Sequence, residues 1–136
     1  GIPAEALVVG VVAHLSPRKG HAVFLDAFAR AAARFPGALA ILLGEGEQDS
    51  LRIRAEELGL KDRVLFPGWQ ADVLPYYAAM DVVALPSVTG EGLPRALLEG
   101  GMLARPCVGT RISGVPEIIR EGETGFIVPP GDAAAM

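Results

Sequence analysis

The sequence contains a single cysteine, Cys107, so no disulfide can close within the chain and a reducing compartment fits. Cys107 lies in an apolar run with no histidine nearby and reads as a packing residue. No apolar run approaches the roughly 20 residues that a membrane helix needs. No basic segment precedes an apolar one, so no secretory leader is expected. There is no surplus of basic charge: 12 Lys and Arg stand against 16 Asp and Glu, for a formal net charge of −4. That balance argues against a general nucleic-acid binder. No Asp-x-Asp occurs and no His/Cys cluster has metal-ligand spacing, so no metal is expected. The Walker lysine pattern is absent. Gly44-Glu45-Gly46 begins like a dinucleotide fingerprint but lacks its third glycine, so it is weak evidence for NAD.

What is present is a globular composition. Of the 136 residues, 51% are hydrophobic and 21% charged, enough for one domain with a real core. Seventeen glycines and eleven prolines are many for this length, and most punctuate an alternation of strands and helices. Residues 7–15 form a Val-rich run, as expected of a strand buried on both faces. The following helix carries Phe24, Ala27, Phe28, Ala31 and Phe35 at helical spacing and ends at Pro36-Gly37. Residues 38–43 form a second strand. Asp49 or Ser50 is the expected cap of the next helix, which turns Leu51, Ala55 and Leu58 inward and closes at Gly59. Residues 63–66 form a third strand, residues 72–80 a short helix, residues 81–85 a fourth strand, residues 107–108 a fifth and residues 125–128 a sixth. The Ala-rich end resembles the opening of a helix.

Such alternation predicts an α/β fold: a Rossmann-like, mostly parallel sheet of about six strands with helices on both faces. Right-handed crossovers then put every strand-to-helix loop on one edge. That edge gathers residues 14–20, 44–46, 68–69, 90–94 and 113–117, and ligands of open α/β sheets bind there.

Residues 86–117 carry the strongest signal. A strand opens through glycines into a helix in which Pro94 fits the first position. The helix carries Glu99 and stops near Ala104, because Pro106 follows. Free amides and the dipole at such a helix start favour an anion. Two carboxylates, Glu91 and Glu99, flank the site. Beside an anion they suit hydroxyl groups, as on a sugar or a ribose. Lys19, just past the first strand, can meet a diphosphate held at the same edge. His14 reads two ways, as a single-donor phosphate contact or as a satisfied strand-end histidine. Gly68-Trp69 is either a turn with a packed indole or a base contact. Arg95 faces either solvent or the phosphates. Gly100 and Gly101 cost about 1 kcal/mol each relative to alanine inside a helix, and close packing against the sheet is the expected reason.

Glu91 and Glu99 have seven residues between them, followed by Arg-Pro-x-Val and then Ser-Gly-Val-Pro-Glu-Ile. This resembles the signature of the retaining glycosyltransferases of family 4, in their nucleotide-sugar-binding half. Supporting matches are Gly44-Glu45-Gly46, Leu58-Gly59-Leu60 with Arg63-Val64, Asp81-Val82 with Leu85-Pro86-Ser87, and residues 122–125 with 128–132. They cover essentially the whole chain. The resemblance implies the C-terminal half of a GT-B fold: residues 1–136 form a single nucleotide-sugar-binding domain excised from a two-domain enzyme. Such an enzyme moves a sugar from a nucleoside diphosphate sugar to an acceptor such as a glycan or lipid, with retention and without metal or other cofactor.

The resemblance further implies that Glu91 contacts the donor sugar, with Lys19 at the diphosphate and Glu99 at the ribose. Backbone amides near Gly92, Leu93, Arg95 and Ala96 would hold sugar and phosphate, while Pro94 has none to give. Gly68 and Trp69 would meet the base. His14 stands where the family usually has an Arg, whose guanidinium forms a fork that a neutral imidazole cannot. The expected partners are the nucleotide-sugar donor and a missing N-terminal acceptor-binding domain, with no nucleic acid. Membrane contact would come only through the missing half of a cytoplasmic enzyme, peripheral at the inner face. Two other readings are a nucleotide-sugar epimerase of the same fold and a non-catalytic nucleotide-binding module.

Overall fold

Six short, largely apolar runs alternate with helices, and in the computed structural model they pair into one six-stranded sheet. The structure describes residues 2–90 and 92–136. The strands are β1 (Val8–Val12), β2 (Leu39–Leu43), β3 (Val64–Gly68), β4 (Val82–Leu85), β5 (Cys107–Thr110) and β6 (Gly125–Val128). The helices are α1 (His21–Arg34), α2 (Gln48–Glu57), α3 (Leu74–Ala79), α4 (Arg95–Met102) and the one-turn α5 (Val115–Ile118). Every strand pair is parallel and the order is β3-β2-β1-β4-β5-β6. This is the Rossmann-like α/β architecture that the alternation predicts.

The central strands are buried on both sides because their residues alternate between two cores. In β2, Ala40 and Leu42 join Phe24, Phe28, Leu51 and Ala55 of α1 and α2. Ile41 and Leu43, one residue out of phase, join Tyr77 of α3, Leu97 of α4 and Val115 of α5 on the other face. The period of two explains this directly. Phe24 and Phe28 stack with ring centroids 6.0 Å apart, and burying each contributes roughly 1.5–3 kcal/mol. Gly10 of β1 is required by the second core, since a Cβ there would overlap the Met80 side chain.

Several local expectations need correction. Phe35 does not extend the buried face of α1: it caps the helix with non-helical φ and ψ of −123° and 84°, and it is half exposed. Neither Asp49 nor Ser50 caps α2, which begins earlier, after Glu47; the Ser50 hydroxyl instead donates to the Glu47 carbonyl. Pro67 and Gly68 lie inside β3, and β5 runs on to Thr110. Pro94 is the residue before α4, not its first residue, and α4 ends at Met102. Gly100 does pack on the sheet, but a Cβ at the exposed Gly101 would meet nothing within 4 Å. The Ala-rich end makes one turn rather than a helix, its Ala134 and Ala135 amides held by the Asp132 carboxylate.

Candidate functional site

Because all strands run the same way, their C-terminal ends share an edge. The order reverses between β1 and β4: β2 and β3 lie to one side, β5 and β6 to the other. Ligands of open α/β sheets bind near such a reversal. The β1–α1 loop, with His14 and Lys19, and the β4–α4 loop, ending at Pro94, flank that point.

The loops are fixed to one another by hydrogen bonds to main-chain carbonyls. Val88 N–H donates to the Arg18 carbonyl at 3.0 Å, and Arg18 Nη1 donates to the Gly90 carbonyl at 2.9 Å. Leu15 N–H donates to Glu45 and Glu47 N–H returns to Leu15, at 2.7 and 2.9 Å. Gly44 N–H donates to Gly68 at 3.0 Å, and the buried Thr110 hydroxyl donates to Ser87 at 2.6 Å. Glycine serves this locking. Gly20 has φ +70°, and a Cβ there would overlap the Pro86 carbonyl; at Gly44, φ +149°, it would overlap the Ala13 carbonyl. At these two positions glycine lets one loop approach another.

His14 and Trp69 come together. They line a cleft of about 230 Å³ with Gly44, Glu45, Gln70 and Val73. Gly68 adjoins it, with φ +76°. Trp69 is not a packed indole, being 66% exposed. His14 is also exposed. Lys19 sits on the flanking 3₁₀ turn at 17–19 and is half buried. Glu91, read as the sugar contact, lies outside the described residues.

The start of α4 differs from expectation. Pro94 has φ −77° and ψ 75°, the centre of an inverse γ-turn, and Arg95 N–H donates back to Leu93 at 2.8 Å. The Arg95 amide is therefore not available to a ligand as the sequence suggested. Leu97 N–H is taken by the Pro94 carbonyl at 3.0 Å. Among the described residues the Ala96 amide meets no acceptor. Leu93 is 69% exposed, and Gly92 is exposed beside it.

Glu99 lies one turn further into α4. Its Oε2 accepts a 2.8 Å hydrogen bond from the Tyr77 hydroxyl of α3, and its Oε1 faces Arg95 Nη2 at 3.4 Å. Burial, then the hydrogen bond and charge of Glu99, push the Tyr77 phenol above its usual range. Sequence reasoning missed Tyr77, because the contact joins residues 22 apart; the available signal was that a buried tyrosine hydroxyl needs a partner. It also missed the bridging role of Arg18. Cys107 is buried as expected, and burial pushes its thiol up, away from the reactive thiolate. No group of three or more His, Cys, Asp or Glu among the described residues is placed to hold a metal ion.

The arrangement offers a cation, an amide, a held carboxylate and an exposed indole along one sheet edge. The chain is 40% identical over 132 residues to the lipopolysaccharide core biosynthesis glycosyltransferase LpsE of Rhizobium meliloti, covering 96% of this chain and 37% of that protein. It is 34% identical over 123 residues to the phosphatidyl-myo-inositol mannosyltransferase of Mycobacterium leprae, covering 88% of this chain and 32% of that one. Thus the chain spans about a third of the length of these relatives. Its fold matches Anabaena Alr3699/HepE in complex with UDP and glucose, with a TM-score of 0.90 and 34% identity over 97% of this chain and 37% of that one. The Alr3699/HepE complex with UDP-glucose matches at 0.88, with 36% identity over 96% of this chain and 36% of that one. The family described as Glycosyl transferases group 1 matches residues 6–136, nearly end to end, and the chain belongs to it.

Proposed function

We propose that this chain is the donor-binding domain of a retaining glycosyltransferase, which moves a sugar from a nucleoside diphosphate sugar to a glycan or lipid acceptor. The observation that carries the reading is the fold match, at 34–36% identity, to Alr3699/HepE structures that hold UDP, UDP with glucose, or UDP-glucose. It is supported by the chemistry of the sheet edge. Lys19 and the α4 amide at Ala96 would oppose the diphosphate as it departs and an oxocarbenium-like sugar forms. Glu99 would accept hydrogen bonds from ribose hydroxyls, and Glu91 from the donor sugar. The indole of Trp69, at the cleft with His14, offers a face to the base. Departure and attack on the same face of the sugar need no protein base, and none of these residues is asked to act as one. With a cation and a helix start to meet the charge, no metal is required. The acceptor class is suggested by relatives named for lipopolysaccharide core and phosphatidyl-inositol work.

Calorimetric titration with UDP and with uridine tests the reading. UDP is expected to bind more tightly than uridine, with EDTA making no difference, and Lys19→Ala should weaken UDP by about three- to tenfold while sparing uridine. Equal losses for the two ligands would remove Lys19 from the phosphate site. Loss of UDP binding in EDTA, restored by Mg²⁺ or Mn²⁺, would overturn the metal-free reading.

A further inference from the structure

We infer that Tyr77 is a positioning residue for nucleotide recognition, fixing the Glu99 carboxylate so that its Oε1 is the oxygen presented to ribose hydroxyls. The inference deepens the reading of Glu99 proposed above and rests on it. Tyr77 is fully buried in the core shared by α3, α4 and the sheet, beside Met80, Val83 and Leu97. A glutamate on a helix surface ordinarily samples several rotamers. Here the phenol reaches out of the core and donates to Oε2 at 2.8 Å. A buried hydroxyl left without an acceptor is costly, so the two groups hold each other. The bond keeps its sense across the working pH range, since burial and the neighbouring carboxylate both oppose loss of the phenolic proton.

The two oxygens of Glu99 are held unequally. Oε2 is pinned from below by a rigid, buried donor. Among the described residues Oε1 meets Arg95 Nη2 alone, at 3.4 Å, and the Arg95 side chain is 80% exposed. A ligand hydroxyl can displace so long and exposed a contact at little cost. Tyr77 therefore removes one oxygen from competition and aims the other, which lowers the ordering penalty when a diol binds.

The experiment compares UDP with its 2′,3′-dideoxy analogue, which keeps base and diphosphate but lacks the hydroxyls. The readout is the ratio of the two dissociation constants, which a general loss of packing would not change. In the unaltered protein UDP should bind more tightly than the analogue. Tyr77→Phe, which keeps the ring and its packing, should weaken UDP by about three- to tenfold and leave the analogue within about twofold. Adding Tyr77→Phe to Glu99→Ala should cost nothing more. Arg95→Ala, at an exposed site that does not threaten the fold, removes only the long contact to Oε1 and should change the ratio less than Tyr77→Phe does. A ratio that collapses in Arg95→Ala would make Arg95 the holder and overturn the inference, even if Tyr77→Phe did not fold. Equal weakening of both ligands by Tyr77→Phe would also overturn it. If Glu99→Ala itself leaves UDP affinity intact, the ribose role of Glu99 falls and the inference falls with it.

Discussion

His21 opens α1 almost wholly buried, and among the described residues neither ring nitrogen meets a partner in hydrogen-bonding geometry. Burial lowers its imidazole to about 4; the Ser16 backbone pulls the other way, and the charges of Lys19 and His14 add to the lowering. In the unfolded chain the same group titrates near 6.5. The unfolded state therefore binds more protons between the two values, and stability falls as pH drops from about 6.5 toward 4. Between pH 7.5 and 5.0 the loss from this group should be about 2 kcal/mol. Urea unfolding of the protein and of His21→Gln at the two pH values isolates it, because the carboxylates are common to both. A loss of the same size in His21→Gln would assign the acid sensitivity to other groups. At this scale spacing and position were enough to nominate Glu99 and Lys19 as candidates, and both lie at the sheet edge. The sequence was silent on Tyr77, Arg18 and Thr110, whose partners lie 22, 72 and 23 residues away along the chain. No local pattern encodes such pairings.

Helix α4 shows the same limit for an element. Its buried residues Ala96, Leu97 and Gly100 fall at helical spacing and seat it on β4 and β5. Gly100 and Gly101 look alike as letters, and the sequence assigned both to close packing. One helical step separates them by about 100°, enough to put the first against Val83 and the second in solvent. A Cβ at Gly100 would lie 2.8 Å from Val83 Cγ2, too close without a shift of the helix or the strand. Gly100→Ala should therefore destabilise by about 1–3 kcal/mol. Gly101→Ala should stabilise by about 0.5–1 kcal/mol, because alanine restricts the unfolded chain and adds no clash. Chemical denaturation of the two variants checks the opposite signs; a destabilised Gly101→Ala would mean that this face of α4 is covered. The start of α4 was misjudged for a related reason. Proline suits the first turn of a helix, but its fixed φ equally suits the centre of an inverse γ-turn. Only the surrounding loop decides, and here it drew the Arg95 amide back to Leu93.

For the whole molecule, the strand–helix alternation was enough to predict a parallel sheet with loops gathered at one edge. It did not yield the order β3-β2-β1-β4-β5-β6, because which strand neighbours β1 is settled by pairing across the chain, such as Val9 with Val82. That order places the candidate site at an edge open to solvent. A glycosyltransferase must do more than hold its donor. It must bring an acceptor to the departing sugar in a fixed geometry and keep water from taking its place. One sheet with one open edge supplies half of such an enclosure, and the chain spans 37% of the length of the Rhizobium glycosyltransferase it matches. The expected behaviour of these 136 residues is thus binding without transfer. UDP should bind with a dissociation constant of about 0.1–1 mM, as expected of a site open on one side with little preorganisation. Incubation with common nucleotide sugars and mixed acceptors should release no nucleoside diphosphate beyond the rate without protein. Multiple turnovers by the chain alone would show instead that a single Rossmann-like domain suffices for transfer.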